Sequence, residues 1–313
     1  MTGALTPAGE MRPKEVPLGC MDTLTAAAPR AVTRIIDSHL ATVGEGLSVR
    51  RALPDNGVRS IGPWVFLDHF GPQLTKASSR GVPPHPHAGI ETVSYLLQGG
   101  MAHRDSAGHQ GIVDAGGAQW MTSGRGIVHA EQPVSSSGED TFMLHGVQLW
   151  TTLPRALKMM EPAYQNLSSS SIPVVEGDGV KVRVIGGDFE AVQSPAKTLM
   201  PLFAWHVTVQ PGKEFVTPVP ELFEAGAYVL AGEGTSGSDR TQIRIGQLAI
   251  FAQGDRIGVN NTSDAPLDLL LLGGAPAEGP LVFHGPFVMN SVEQIRRAER
   301  DYMTGRMGSL AQD

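Results

Sequence analysis

Two pairs of residues carry the chemistry this sequence offers. His85 and His87 flank Pro86 in HPHAGIETVSYLLQGG, and His129 stands two before Glu131 in QWMTSGRGIVHAEQP. Side chains at i and i+2 of an extended segment point to the same side, so each pair can approach one ion together. A lone His-x-His is a weak sign, because two surface histidines around a turn proline look the same. The second pair changes that balance. Two such segments meeting inside a barrel supply three nitrogens and one oxygen, a donor set suited to Fe(II), Mn, Ni, Cu or Zn; without thiolate it does not fit a cysteine-rich structural zinc site. Glu91, four residues after His87, shares that face on a regular strand and is a rival oxygen ligand.

The elements that must position these pairs are strands. From Ser48 onward the chain breaks into short apolar runs such as WVFLDHF, ETVSYLL, TFMLHGVQLW, LFAWHVTV and LDLLLLGG, punctuated by Gly, Pro, Asp and Ser. Regular turn signals between runs of strand length point to β-sandwiches or barrels. In VKVRV, Val180, Val182 and Val184 should face inward while Lys181 and Arg183 face water. Helix signals are sparse until NSVEQIRRAERDYMTGRMG, where Ser291 and Gln294 form a capping-box pattern and Gly305 or Gly308 is the stop. There Arg296, Arg297 and Arg300 read as a solvated face. NLSSSSIPVVEGDG reads as a linker between halves.

A faint repeat supports two similar halves. Tyr95, Leu97 and Gly99 match Tyr228, Leu230 and Gly232 at an offset of 133, which places Pro218 and Pro220 at the positions of His85 and His87. An offset of 131 places Asn260 and Thr262 opposite His129 and Glu131. The strands are duplicated and the ligands are not.

Bulk properties exclude other roles. The net charge of −7 lacks the basic excess that phosphate binding needs, so direct nucleic-acid binding is not expected. Cys20 is the single cysteine and cannot form an intramolecular disulfide, in keeping with a reducing, cytoplasmic address. No run of about eighteen apolar residues exists for a membrane span. The first residues, rich in Pro, Gly and small side chains, read as a mobile extension. His103 and His109 read as hairpin-turn residues, and His69, His145, His206 and His284 as core or rim histidines. Trp120 and Met121 read as core.

The segments HPHAGIETVSYLLQG, HRDSAGHQG, QWMTSGRGIVHAE, LHGVQLWTTLP and GPFVMNSVEQI together resemble the pirin family of the cupin superfamily, over about Ser48 to Gly308. Two departures touch no ligand: Ala88, where Arg or a bulkier residue is common, and Gly117, where Asp is common. The resemblance implies an all-β fold, a bicupin of two face-to-face antiparallel β-barrels with a short C-terminal helix. It divides the chain into a mobile N-terminal extension over 1–45, an N-terminal cupin barrel with the metal site over 46–165, a linker and connecting strand over 166–195, and a C-terminal metal-free cupin barrel with its helix over 196–313. It assigns the metal, usually iron, to His85, His87, His129 and Glu131. Glu91 is then left as a neighbour that orients a histidine.

Four ligands on a six-coordinate Fe(II) leave two positions open, whereas tetrahedral zinc would be closed. Several pirins are quercetin 2,3-dioxygenases, so the resemblance implies opening of a flavonol ring by O₂ with loss of carbon monoxide. Glu131 then serves as catalytic base toward the substrate's hydroxyl. Some pirins are co-regulators, so a second implied role is iron-controlled binding to a transcription factor or metabolic enzyme.

Overall fold

The computed structural model describes residues 28–55 and 57–310, together with the backbone of a short strand at Glu15–Pro17. The apolar runs fold as two antiparallel β-barrels. In the first, a seven-stranded sheet centred on Ile90–Gln98, Thr141–Thr152 and Trp64–Lys76 lies over a four-stranded sheet of Val82–His87, Ile127–Val134, Gly100–Asp105 and Gln110–Asp114. In the second, an eight-stranded sheet that includes Leu202–Val209, Leu267–Gly274 and Glu224–Ala231 faces Glu214–Pro218, Arg256–Asn260, Glu233–Ser236 and Thr241–Arg244.

The two large sheets pack against each other. Trp64, Leu67, Val93, Tyr95 and Val147 from one side and Leu202, Ala204, Tyr228, Leu270 and Leu272 from the other form one buried cluster. Trp64 also donates its indole N–H to Gly273 O at 3.1 Å. A fully buried side chain of this size contributes about 1.5–3 kcal/mol, so the junction is itself a core. Trp120 and Met121 are buried as expected. Val180, Val182 and Val184 are buried too, while Lys181 is exposed.

The helix spans Val292–Met303, with Ser291 Oγ accepting from Gln294 N at 3.2 Å and Gln294 Oε1 accepting from Asn290 N at 2.9 Å. Arg296, Arg297 and Arg300 are exposed on it. Among the described residues no helix is long and apolar enough to cross a membrane.

Three expected boundaries differ. The extension over 1–45 contains ordered strands: Val32–Asp37 pairs with Gln247–Phe251 of the second barrel, and His39–Val43 pairs with Leu47–Leu53 of the first. Val32 and Ile35 pack against the second barrel's core, and Ile36 enters the cluster between the barrels. The expected mobility of residues 1–27 lies outside the described residues, apart from the strand at Glu15–Pro17. The stretch 166–195 is largely integral: Val174–Gly177 and Val180–Gly186 are strands of the large second sheet. The tail belongs to the first barrel, because Phe287, Met289, Ile295, Ala298 and Met307 bury themselves against Ala88 and Val128. The termini are thus exchanged between barrels.

Candidate metal centre

The strand Val82–His87 lies antiparallel to Ile127–Val134 with His85 directly opposite His129. His87 follows on the same face, and Gly89 turns the chain into the next strand at φ +77. A Cβ at that position would collide with Val288 O, so the turn after the histidines requires glycine. His85, His87 and His129 come together with their ligand atoms all within 4.8 Å of one another. His85 Nε2 stands 3.1 Å from His87 Nε2 and 3.0 Å from His129 Nε2.

The outer nitrogens decide the tautomers. His85 Nδ1 meets Pro83 O at 2.9 Å and His87 Nδ1 meets Pro286 O at 3.2 Å. A carbonyl only accepts, so each Nδ1 carries the proton and each Nε2 presents a bare lone pair. His129 Nδ1 faces His103 Nδ1 at 3.5 Å, and His103 Nε2 meets Asp105 Oδ2 at 3.1 Å. The carboxylate fixes the His103 proton on Nε2, which leaves its Nδ1 to accept from His129. Burial holds His87 and His129 well below the usual imidazole range, in the neutral form a metal needs.

Three lone pairs aimed at one another repel unless a cation lies between them. Ligands at right angles on bonds of about 2.1 Å sit about 3.0 Å apart, and tetrahedral ones about 3.4 Å. The spacings from His85 to His87 and to His129 lie near the first of these values. The donor set therefore fits a divalent transition metal.

Glu131 lines the same cavity but stands outside the three-histidine group. Its Oε1 accepts from Ser94 Oγ at 2.8 Å and Gln119 Nε2 at 2.7 Å, and its Oε2 accepts from Gln148 Nε2 at 2.8 Å. Glu91 does not orient a histidine: its carboxylate accepts from Thr122 Oγ1 at 2.9 Å and Thr151 Oγ1 at 3.1 Å, and burial pushes its pKa up. On the large sheet Thr122 and Thr151 flank it directly, one on each neighbouring strand.

Sequence reading missed the residues that hold the ligands. His103 lies in a strand rather than a turn, and its spacing from Asp105 repeats the two-residue signal of the ligand pairs. Ser94, Gln119 and Gln148 lie on three strands brought together by register and carry no local signal. Pro286 comes from the exchanged tail.

His85 and His87 open onto a cavity of about 520 Å³, within the roughly 300–1,000 Å³ of small-molecule pockets. Phe66 and Trp150 stack on its wall, 4.0 Å apart at 12°, and Trp150 meets the His87 ring edge-on at 4.9 Å. Arg51 donates to Asp68 through two bonds of 2.8 and 2.7 Å while its guanidinium lies 4.6 Å from the Phe66 ring centre.

The Pirin family model matches residues 46–151, and that of the pirin C-terminal cupin domain matches residues 204–308. The chain belongs to the pirin family. Pirin-1 from Arabidopsis thaliana is 40% identical over 285 residues, covering 90% of this chain and 96% of that one. Pirin from Homo sapiens is 37% identical over 282 residues, covering 89% and 94%. The crystal structure of a quercetin 2,3-dioxygenase from Acinetobacter baumannii is similar with a TM-score of 0.84 at 30% identity, covering 91% of this chain and 100% of that one. The two-barrel cupin architecture is thus shared with pirins and with that dioxygenase.

Proposed function

We propose that the protein is an iron-dependent dioxygenase that opens the ring of a flavonol such as quercetin and releases carbon monoxide, with His85, His87, His129 and Glu131 holding the metal. The observation that carries this reading is the convergence of three bare imidazole nitrogens, two of them on histidines, His85 and His87, that line an aromatic cavity. Similarity to the Acinetobacter baumannii enzyme supports the substrate class. Divalent iron supplies Lewis acidity and a redox centre for dioxygen, and other divalent transition metals suit the same donors.

The remaining work falls to the chain. The Phe66 and Trp150 rings give a flat substrate a flat wall, and the apolar lining keeps water away. Glu131 Oε2, restrained by Gln148, takes the proton of the substrate's enolic hydroxyl. Gln148 also donates to Ser94 Oγ at 3.0 Å, which fixes the amide and with it the carboxylate.

Anaerobic loading with Fe(II), then quercetin and air, should consume oxygen and release carbon monoxide. Absence of turnover with every divalent metal tried overturns the reading. Capture of a protein partner by the Fe(II) form and not the Fe(III) form would then favour the regulatory role.

A further inference from the structure

The second barrel keeps a cavity where the first has its metal pocket. Tyr95, Val147 and His69 stand in one row of the first large sheet, and Tyr228, Leu270 and His206 in the matching row of the second. Counting back from His69 and His206 makes Phe203 the counterpart of Phe66, and Trp205 the counterpart of Asp68. Phe66 and Asp68 line the first pocket; Phe203 and Trp205 line a cavity of about 440 Å³ in the second barrel. Pro218 and Pro220, at the positions of His85 and His87 by chain offset, line it as well. The repeat is not exact across this sheet, because Asn260 lies opposite Glu214 rather than Pro218.

The duplicated cavity has lost its imidazoles and keeps aromatic side chains. Phe203 stacks on Trp205 at 4.2 Å and 21°, and Phe189 meets Trp205 edge-on at 5.1 Å. Phe189 arrives on a two-stranded hairpin, Asp188–Phe189 with Val192–Gln193, and Phe223 closes another side. Trp205 is 4% exposed, and its indole Nε1 is buried without a hydrogen-bond partner. Such an orphaned donor costs about 1–3 kcal/mol unless an acceptor reaches it. The exposed carboxylates of Asp188 and Glu190 stand among the lining residues, and no Lys, Arg or His among the described residues lines it. Arg30, bonded to Pro220 O, Phe223 O and Gly254 O, is taken up by carbonyls.

We propose that this cavity is a second, metal-independent binding site for a flat, uncharged hydroxylated aromatic molecule. The rings fix the flat shape. A hydroxyl oxygen accepts from an indole N–H and its proton is donated to a carboxylate, so a phenol satisfies both polar features at once. Carboxylates without a facing cation repel an anionic ring.

Titration calorimetry of metal-free full-length protein with 2-naphthol tests this. Leu47→Trp narrows the first pocket and should leave one equivalent of naphthol bound; Thr217→Trp, added to it, fills the second cavity and should remove that equivalent. Trp205→Phe in the Leu47→Trp background keeps the wall without the N–H and should weaken binding about fivefold. 2-Naphthoate should bind at least tenfold more weakly. No naphthol bound by the Leu47→Trp variant, equal affinity for naphthoate, or affinity unchanged by both Thr217→Trp and Trp205→Phe would each overturn the proposal.

Discussion

Tyr95 Oη lies 2.8 Å from His206 Nδ1, a bond from the first barrel to the second, and Tyr228 Oη lies 3.1 Å from His69 Nδ1 in the reverse sense. Each barrel lends its tyrosine to the other's histidine. His69 Nε2 continues to His145 Nε2 at 2.8 Å, and Asp268 stands 3.5 Å from His206 Nε2, so a polar chain is set into an otherwise apolar junction.

That junction should respond to acid. Burial, with the neighbouring His145 and Arg50, lowers His69 from its ordinary 6.5 to about 3. Its folded form is neutral, so the unfolded chain binds the extra proton between those values. Stability from this group is complete above about pH 6.5 and lost as pH falls toward 3. Chemical denaturation at stepped pH should show wild type losing about 2 kcal/mol more than a His69→Phe variant by about pH 4.5. Parallel curves would place the acid sensitivity elsewhere.

His103 should govern metal retention without touching the metal. Its Nδ1 accepts from His129 Nδ1, and it is itself anchored by Asp105, which also accepts from His109 Nδ1 at 2.9 Å. His103→Leu should weaken metal affinity about 10–100-fold with the fold intact, read by competition with a chelator beside circular dichroism. Unchanged affinity would show that the His129 ring needs no such anchor.

Trp150 separates substrate binding from metal binding. Its ring stacks on Phe66 and lines the cavity. Trp150→Ala should leave metal content unchanged while raising KM for quercetin about 2- to 12-fold, the range of one aromatic contact. Loss of metal in that variant would assign the ring to holding His87 instead.

Lys158 ties the exchanged tail down. It is fully buried, and its Nζ donates to Gly89 O at 2.7 Å, Thr152 Oγ1 at 2.6 Å and Val288 O at 2.7 Å, three acceptors for three donors. Burial lowers its pKa to about 7. Lys158→Met strands those acceptors at about 1–3 kcal/mol each, so limited proteolysis should cut the tail near Leu281–Met289 far sooner than in wild type. Metal affinity should fall too, because Pro286 O anchors His87 from that tail. Equal proteolysis rates would show that the apolar contacts of the helix suffice.

The two residue pairs were legible because their types and two-residue spacing are local properties, while the choice of Glu131 over Glu91 came from the family resemblance. The three histidines do converge, and the short apolar runs do make two barrels. His103 has the same two-residue spacing to Asp105 but reads as a turn residue, since nothing local says that a His-x-Asp pair backs a ligand. Ser94, Gln119 and Gln148 are made neighbours of Glu131 by strand register, and Pro286 reaches His87 across 199 residues. Contacts at that range leave no pattern in a short window. The termini escaped notice for the same reason, since Val32–Asp37 shows its role only beside Gln247–Phe251.

The crossing of the two chain ends makes the barrels a single cooperative object. A cut in the loop at Ser169–Ser171 would yield an N-terminal fragment missing the hairpin that seats His87, and a C-terminal fragment with the edge of Gln247–Phe251 bare. Neither piece is a finished module; produced together in one cell, the two should knit back into the intact form.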